Sequence, residues 1–207
     1  VNVSRPYGLI SHPLDSAVLY VLAGTSGGLT GRRIAQLAPE GTQQGVSKAL
    51  NRLSEEGIVE REPAGNAIMF RLNRDHLAAA PIVQLMRLRE DLIGRLVTEL
   101  SSWAMRPVHA SMFGSAARGD GDAHSDIDLF IVRPGGVDDE DPRWQGQLEG
   151  LAEHVAAWTG NRASVADVSA DDLAALRECR PAIVGDLEED ALRLVGPEVR
   201  AVLDGAG

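Results

Sequence analysis

Apolar positions follow two rhythms along this chain, one recurring every three to four residues and one alternating. Residues 14–24 (LDSAVLYVLAG) predict an apolar helix ending at Gly24, followed by a loop, TSGGL. Thr30 caps a short helix, GRRIAQLA, with Ile34 and Leu37 inward. Pro39-Glu40-Gly41 predicts a turn. Thr42 then caps QQGVSKALNRLSEEG, where Val46, Leu50 and Leu53 form one buried face and Gly57 stops the helix. Two apolar-rich runs, IVERE and AIMFRLN, joined by PAGN, predict a hairpin turning at Gly65-Asn66. Residues 76–104 predict a connecting helix, its long part from Pro81 to Trp103, with Pro81 in the first turn. Leu85, Leu88, Leu92, Leu96 and Leu100 form its stripe, widened by Ile93 and Val97. A stripe this broad serves packing within the chain or a homodimer. Beyond it come a strand (VHASMF), a helix-like AARG, a loop (GDGDAH) and a second strand (DIDLFIV). A helix from Pro142 to Thr159, a strand within 161–169 (NRASVADVS) and a helix, DLAALREC, follow. After residue 180 the pattern gives a helix, an edge strand over Leu192–Val195 and a tail, with Glu188, Glu189 and Asp190 on the surface. The reading is an α+β chain in three parts, 1–75, 76–104 and 105–207.

Composition narrows this picture. The chain has 207 residues, 44% hydrophobic and 24% charged, as expected for a soluble globular protein with a real core. No apolar stretch reaches the ~20 residues that span a bilayer, and the first residues lack the basic start and apolar centre of a signal peptide. The single cysteine, Cys179, excludes an internal disulfide and a cysteine-rich zinc site. A cytoplasmic protein is expected. The net charge of −10 is uneven. Residues 1–75 hold eight Arg/Lys against seven Asp/Glu, a balance of +1; residues 76–207 hold twelve against twenty-three, a balance of −11. Two modules with different partners are implied.

Helix, helix-turn-helix, then hairpin is the order over residues 12–73, which resembles the winged helix-turn-helix domains of bacterial regulators. That resemblance implies that the second helix of the pair enters the DNA major groove. Its outer face carries Gln43, Gln44, Ser47, Lys48 and Asn51, side chains able to read base edges. The module is nearly neutral, and its hairpin bears Glu60 and Glu62, whereas DNA affinity leans on phosphate neutralisation. The alternative is a dimerisation or protein-docking module.

The most informative stretch is FGSAARGDGDAHSDIDLFIV, Phe113 to Val132. Asp126 and Asp128 share one face of an apolar strand, with Cβ atoms roughly 7 Å apart. Unpaired carboxylates there are costly, and a hard divalent cation is the natural partner. Gly114-Ser115, at the junction of a strand and a helix, offers backbone N–H groups and a hydroxyl suited to phosphate. Ten residues, Ala116 to Ser125, separate the two elements. Gly-Ser, ten residues, then Asp-x-Asp between apolar strands resembles the DNA polymerase β-like nucleotidyltransferase superfamily. The closest likeness is to its minimal bacterial members, with Gly114-Ser115-Ala116-Ala117-Arg118-Gly119 and Ser125-Asp126-Ile127-Asp128-Leu129 as the matching residues. The resemblance implies a small mixed sheet with flanking helices over residues 105–207. It implies Mg²⁺ or Mn²⁺ on Asp126 and Asp128, with a third carboxylate on a neighbouring strand, for which Asp167 is the candidate ligand and base. Gly114, Ser115, Arg118 and Ser125 are the candidate nucleotide-binding residues, although Arg118 could equally pair with Asp120. The implied substrate is an NTP, ATP mildly favoured, whose NMP passes to an acceptor hydroxyl. Minimal members often act with a helical partner, and some resemble antitoxins that modify a toxin, so a protein acceptor of that kind is one candidate and a small molecule of the aminoglycoside type another. No G-x-S-x-G surrounds Ser115, which excludes hydrolase chemistry of that type.

Two competing classes remain at this level. A transcription regulator whose transferase-like domain senses nucleotide without turnover would bind Mg·NTP and release no pyrophosphate. An adaptor docking a partner through the long helix would bind neither nucleotide nor DNA tightly.

Overall fold

The computed structural model describes residues 13–38, 41–122, 124–179 and 181–204. The turn expected at Pro39-Glu40 lies outside the described residues, as do residues 1–12, Ala123 and the last three residues of the tail. The described residues are mixed α and β with two small sheets, and they divide into two compact units, 13–88 and 89–204.

The first unit holds α1 (Pro13–Ala23), β1 (Leu29–Thr30), α2 (Gly31–Leu37), α3 (Gln43–Glu55), β2 (Val59–Ala64), β3 (Ala67–Leu72) and α4 (Ala79–Met86). The Thr30 hydroxyl accepts from the Arg33 N–H and the Thr42 hydroxyl from the Gly45 N–H, so both expected caps start their helices. Val18, Leu22, Ile34, Val46, Leu50 and Leu53 meet Phe70 and Leu72 in one core. Leu37 departs from expectation and is 43% exposed. The seven-residue α2 turns Ile34 and Ala38, four apart, inward, and that rotates Leu37 out. The hairpin turns at Gly65-Asn66 as expected, with Gly65 at φ +61°. Leu29, expected in a loop, instead pairs with Phe70, giving an antiparallel sheet of order β1-β3-β2.

The expected continuous helix from Pro81 to Trp103 is two helices. It breaks at Arg87 (φ −99°, ψ +7°), where α4 ends before α5 (Leu88–Ser102) begins. The apolar stripe divides with it. Leu85 packs into the first core, while Leu92, Leu96 and Leu100 are buried in the second unit. Packing within the chain accounts for Leu85, Leu92, Leu96 and Leu100 of this stripe.

The second unit continues with β4 (His109–Phe113), α6 (Gly114–Arg118), β5 (Ile127–Val132), α7 (Pro142–Thr159), β6 (Ala163–Val168), α8 (Ala170–Cys179), α9 (Ala182–Asp190), β7 (Leu192–Val195) and α10 (Val199–Asp204). Its sheet runs β6-β5-β4-β7, with β5 parallel to β6 and the other pairs antiparallel. Alternation along β5 divides the apolar groups between two cores. Ile127, Leu129 and Ile131 face α5 and α7, where Trp144, Leu151 and Val155 are fully buried. Phe130 and Val132 face Leu173 of α8, Val184 and Leu187 of α9 and Val202 of α10. Asp128, between Ile127 and Leu129, therefore lies on the face that α8, α9 and α10 cover. No helix among the described residues is long and apolar enough to cross a membrane.

Candidate active site

The two halves of the Gly-Ser…Asp-x-Asp pattern meet where β4 ends and β5 begins. Phe113 pairs with Asp128 across the antiparallel ladder, so the chain enters α6 beside the Asp128 carboxylate. Gly114 sits at φ +67°, and a Cβ there would stand 2.6 Å from Asp128 Oδ2. Only glycine allows both the left-handed backbone and this close approach. After one turn of helix, Gly119 (φ +83°) ends α6. The N–H groups of Gly119, Asp120 and Gly121 then all donate to the Ser115 carbonyl, at 3.0, 3.1 and 3.2 Å. A Cβ on Gly121 would lie 3.0 Å from Ser115 Oγ, so the loop wraps closely around this serine.

Asp128 is partly buried and Asp126, just before the strand, is exposed. Burial pushes the Asp128 carboxyl above the ordinary carboxylate range, and the charges of Asp126 and Asp186 push it further. A hydrogen bond from Ser164 and the charge of Arg118 oppose this only in part. Ser164 is the residue of β6 paired with Asp128. The corner therefore carries surplus negative charge, which a divalent cation would relieve. Among the described residues no group of three or more His, Cys, Asp or Glu could hold an ion, so phosphate oxygens of a substrate would have to complete the coordination of a metal on Asp126 and Asp128.

This electrostatic arrangement has a measurable consequence. A carboxyl raised above its unfolded value contributes stability below that value, near pH 3.9, and loses it as pH rises through the folded value. Asp128→Asn is therefore expected to raise the Tm of the metal-free protein at pH 7. The gap from wild type should shrink as pH falls through the titration of Asp128. A Tm lowered at neutral pH would show that Asp128 is a stabilising group instead.

Asp167 is not brought to this corner. It pairs with Ile131, three positions along β6 from Ser164, roughly 10 Å away, and on the opposite face of the sheet. Its Oδ2 accepts from Arg133 Nη1 at 2.7 Å and from Trp144 Nε1 at 3.1 Å. The expectation of Asp167 as third ligand and base is therefore replaced. Its carboxylate ties the ends of β5 and β6 to α7, and Ser164 occupies the position beside Asp128. Ser125 lies in the loop before β5. Its hydroxyl accepts from the Asp122 N–H and donates to Asp122 Oδ1, which shapes the approach to β5. The buried Asn161 donates to the Ser125 carbonyl at 2.9 Å and fixes that approach from the α7–β6 turn.

Arg118 pairs with Asp120, one of its two expected uses, and also with Asp190 of α9. Asp190, expected on the surface, has a side chain only 10% exposed. On the first unit, Gln43, Gln44, Ser47, Lys48 and Asn51 are all exposed on α3. Sequence reasoning missed Ser164, Asn161, Asp186 and Asp190. The spacing of Asp186 and Asp190, four apart on a helix, was the one readable signal among them.

Residues 93–179 match the family model described as the nucleotidyltransferase domain. This match covers β4, α6, β5, α7, β6 and α8, with most of α5, and supports nucleotidyltransferase activity as the general function of this part of the chain. No curated protein and no solved structure is matched.

Proposed function

We propose that the second unit is a metal-dependent, polymerase β-like nucleotidyltransferase that moves an NMP from an NTP to an acceptor hydroxyl. The observation that carries this reading is the close approach of Gly114 to Asp128, which joins a left-handed glycine turn to a carboxylate in surplus charge. Asp126 and Asp128 would hold Mg²⁺ or Mn²⁺, which neutralises the triphosphate and polarises its phosphorus when bound. Ser115, the turn at Gly114 and Arg118, whose charge acts on Asp128, would grip the phosphate oxygens. In the reaction, the acceptor oxygen bonds to the α-phosphorus, the bond to pyrophosphate breaks, and the acceptor proton leaves to solvent. Ser164 keeps the Asp128 carboxylate oriented through its hydrogen bond. The test is pyrophosphate release from ATP and the other NTPs in a lysate of the source cells, with and without chelator. The expected result is release that chelator abolishes. NTP binding without pyrophosphate would favour a nucleotide-sensing regulator.

We further propose that the first unit is a winged helix that binds DNA through α3, which gives the transferase an autoregulatory or antitoxin-like setting with a helical protein as acceptor. Support comes from the order of elements over residues 13–72 and from the five exposed polar side chains on α3. Asp15 neutralises Arg52 and Glu60 neutralises Arg71, and the acidic residues over 1–75 nearly balance the basic ones. Binding should therefore have a shallow salt dependence. With a duplex selected from random sequence, Lys48→Ala is expected to weaken binding and lower the salt slope by about one. Asn51→Ala is expected to cost about 1–3 kcal/mol on the selected sequence alone. Selection that enriches no sequence, or variants that bind as wild type does, would leave α3 as a docking face for protein.

A further inference from the structure

Helix α9 lies beyond the matched segment, yet it turns two carboxylates toward the candidate site. Val184 and Leu187 anchor it on the sheet. Asp186 and Asp190, one turn apart, reach the other way, Asp186 acting on Asp128 and Asp190 on Arg118. The second contact is the informative one. Arg118 Nη1 donates to Asp190 Oδ2 at 2.5 Å, and Nε donates to Asp120 Oδ2 at 3.1 Å. Asp190 is the last residue of α9, where the helix dipole disfavours negative charge, and its side chain is nine-tenths buried. A carboxylate so placed needs its cation. Arg118 is 43% exposed, so a ligand from solvent can reach it.

We propose that Asp190 competes with the nucleotide for Arg118 and thereby sets nucleotide affinity. This rests on the nucleotidyltransferase reading of the same site. A triphosphate that takes the Nη1 edge of the guanidinium must displace Asp190 and leave that carboxylate without its partner at a helix C-terminus. The free energy of that displacement is subtracted from binding. Asp190 is thus a positioning residue, acting through Arg118 and touching no reacting atom.

The test is calorimetric titration of the full chain with Mg²⁺ and an ATP analogue whose α,β-bridge resists cleavage. Wild type, Asp190→Asn and Glu189→Gln are compared. Glu189→Gln removes the same charge from an exposed neighbour on the same helix. Asp190→Asn is expected to bind about tenfold more tightly than wild type, and Glu189→Gln within about twofold of it. Should Asp190→Asn fail to fold, Asp190→Ser serves in its place. Binding by the Asp190 variant no tighter than wild type overturns the competition. So does an equal gain in Glu189→Gln, since that would reflect net charge alone. If neither wild type nor variants bind the analogue, the nucleotide reading of the site fails first and the competition fails with it.

Discussion

Replacing Asp126 and Asp128 together with alanine is expected to lower nucleotidyl transfer by about a thousandfold, with the fold intact. Asp126 is exposed and Asp128 only partly buried, so the double variant removes little packing. It does remove the surplus negative charge that burial and Asp186 intensify at Asp128. The metal-free variant should unfold no earlier than wild type, and it should lose Mn²⁺ binding at this corner. Transfer rates, the Tm and Mn²⁺ titration of the same preparations check the three parts. Transfer at near the wild-type rate would place the chemistry elsewhere.

Asp167 should behave in the opposite way. Arg133 is 9% exposed and Asp167 14%, and they bond at 2.7 Å with Trp144 Nε1 as a second donor to the same oxygen. Truncating one partner of a buried pair leaves Arg133 with only the longer pairing to the exposed Asp172 at 3.7 Å, so Asp167→Ala should cost up to about 3–5 kcal/mol of stability. The intact pair contributes far less than this, because its desolvation offsets most of the attraction. Two of its atoms, Asp167 Oδ1 and Arg133 Nε, are buried without a hydrogen-bond partner among the described residues. Asp167→Asn keeps the volume and one acceptor, and its turnover per folded molecule should stay within about threefold of wild type, since the side chain faces away from Asp128. A base or metal ligand at this position would instead lose about a hundredfold or more. Urea midpoints and transfer rates for the two variants distinguish the roles. A well-folded Asp167→Asn protein without activity would restore Asp167 to the site.

These contrasting roles mark how far the sequence could be read. Local features were legible because they depend on neighbours in the chain. Thr30 and Thr42 cap their helices, Gly65-Asn66 turns the hairpin, and α7 and β7 span the expected residues. The closeness of Asp126 and Asp128 was legible too, since they stand two apart in the chain and the charge of Asp126 acts on Asp128. What alternation could not supply was the register between β5 and β6. An 18-residue helix separates the two strands, and only their pairing reveals that Ser164, rather than Asp167, stands beside Asp128. A shift of one residue moves a side chain to the other face, so proximity in sequence to the expected strand position was a poor guide for Asp167. The break at Arg87 was hidden for a related reason. The leucine stripe continues unbroken through it, and only the division of that stripe between two cores reveals the joint. The involvement of α9 was obscured because its acidic C-terminus reads as solvated surface, and tertiary contact with Arg118 is what buries Asp190.

The central claim is transfer of the α-phosphoryl group at the Gly114–Asp128 corner, and the most direct measurement compares labels on the same nucleotide. The purified chain is incubated with Mg²⁺ or Mn²⁺, lysate of the source cells, and ATP carrying ³²P on either the α or the γ position. The α-label should appear on a macromolecule or small acceptor while the γ-label leaves as pyrophosphate, and the Asp126→Ala/Asp128→Ala chain should transfer neither. Transfer of the γ-label, or α-label transfer that survives in the double variant, would contradict it.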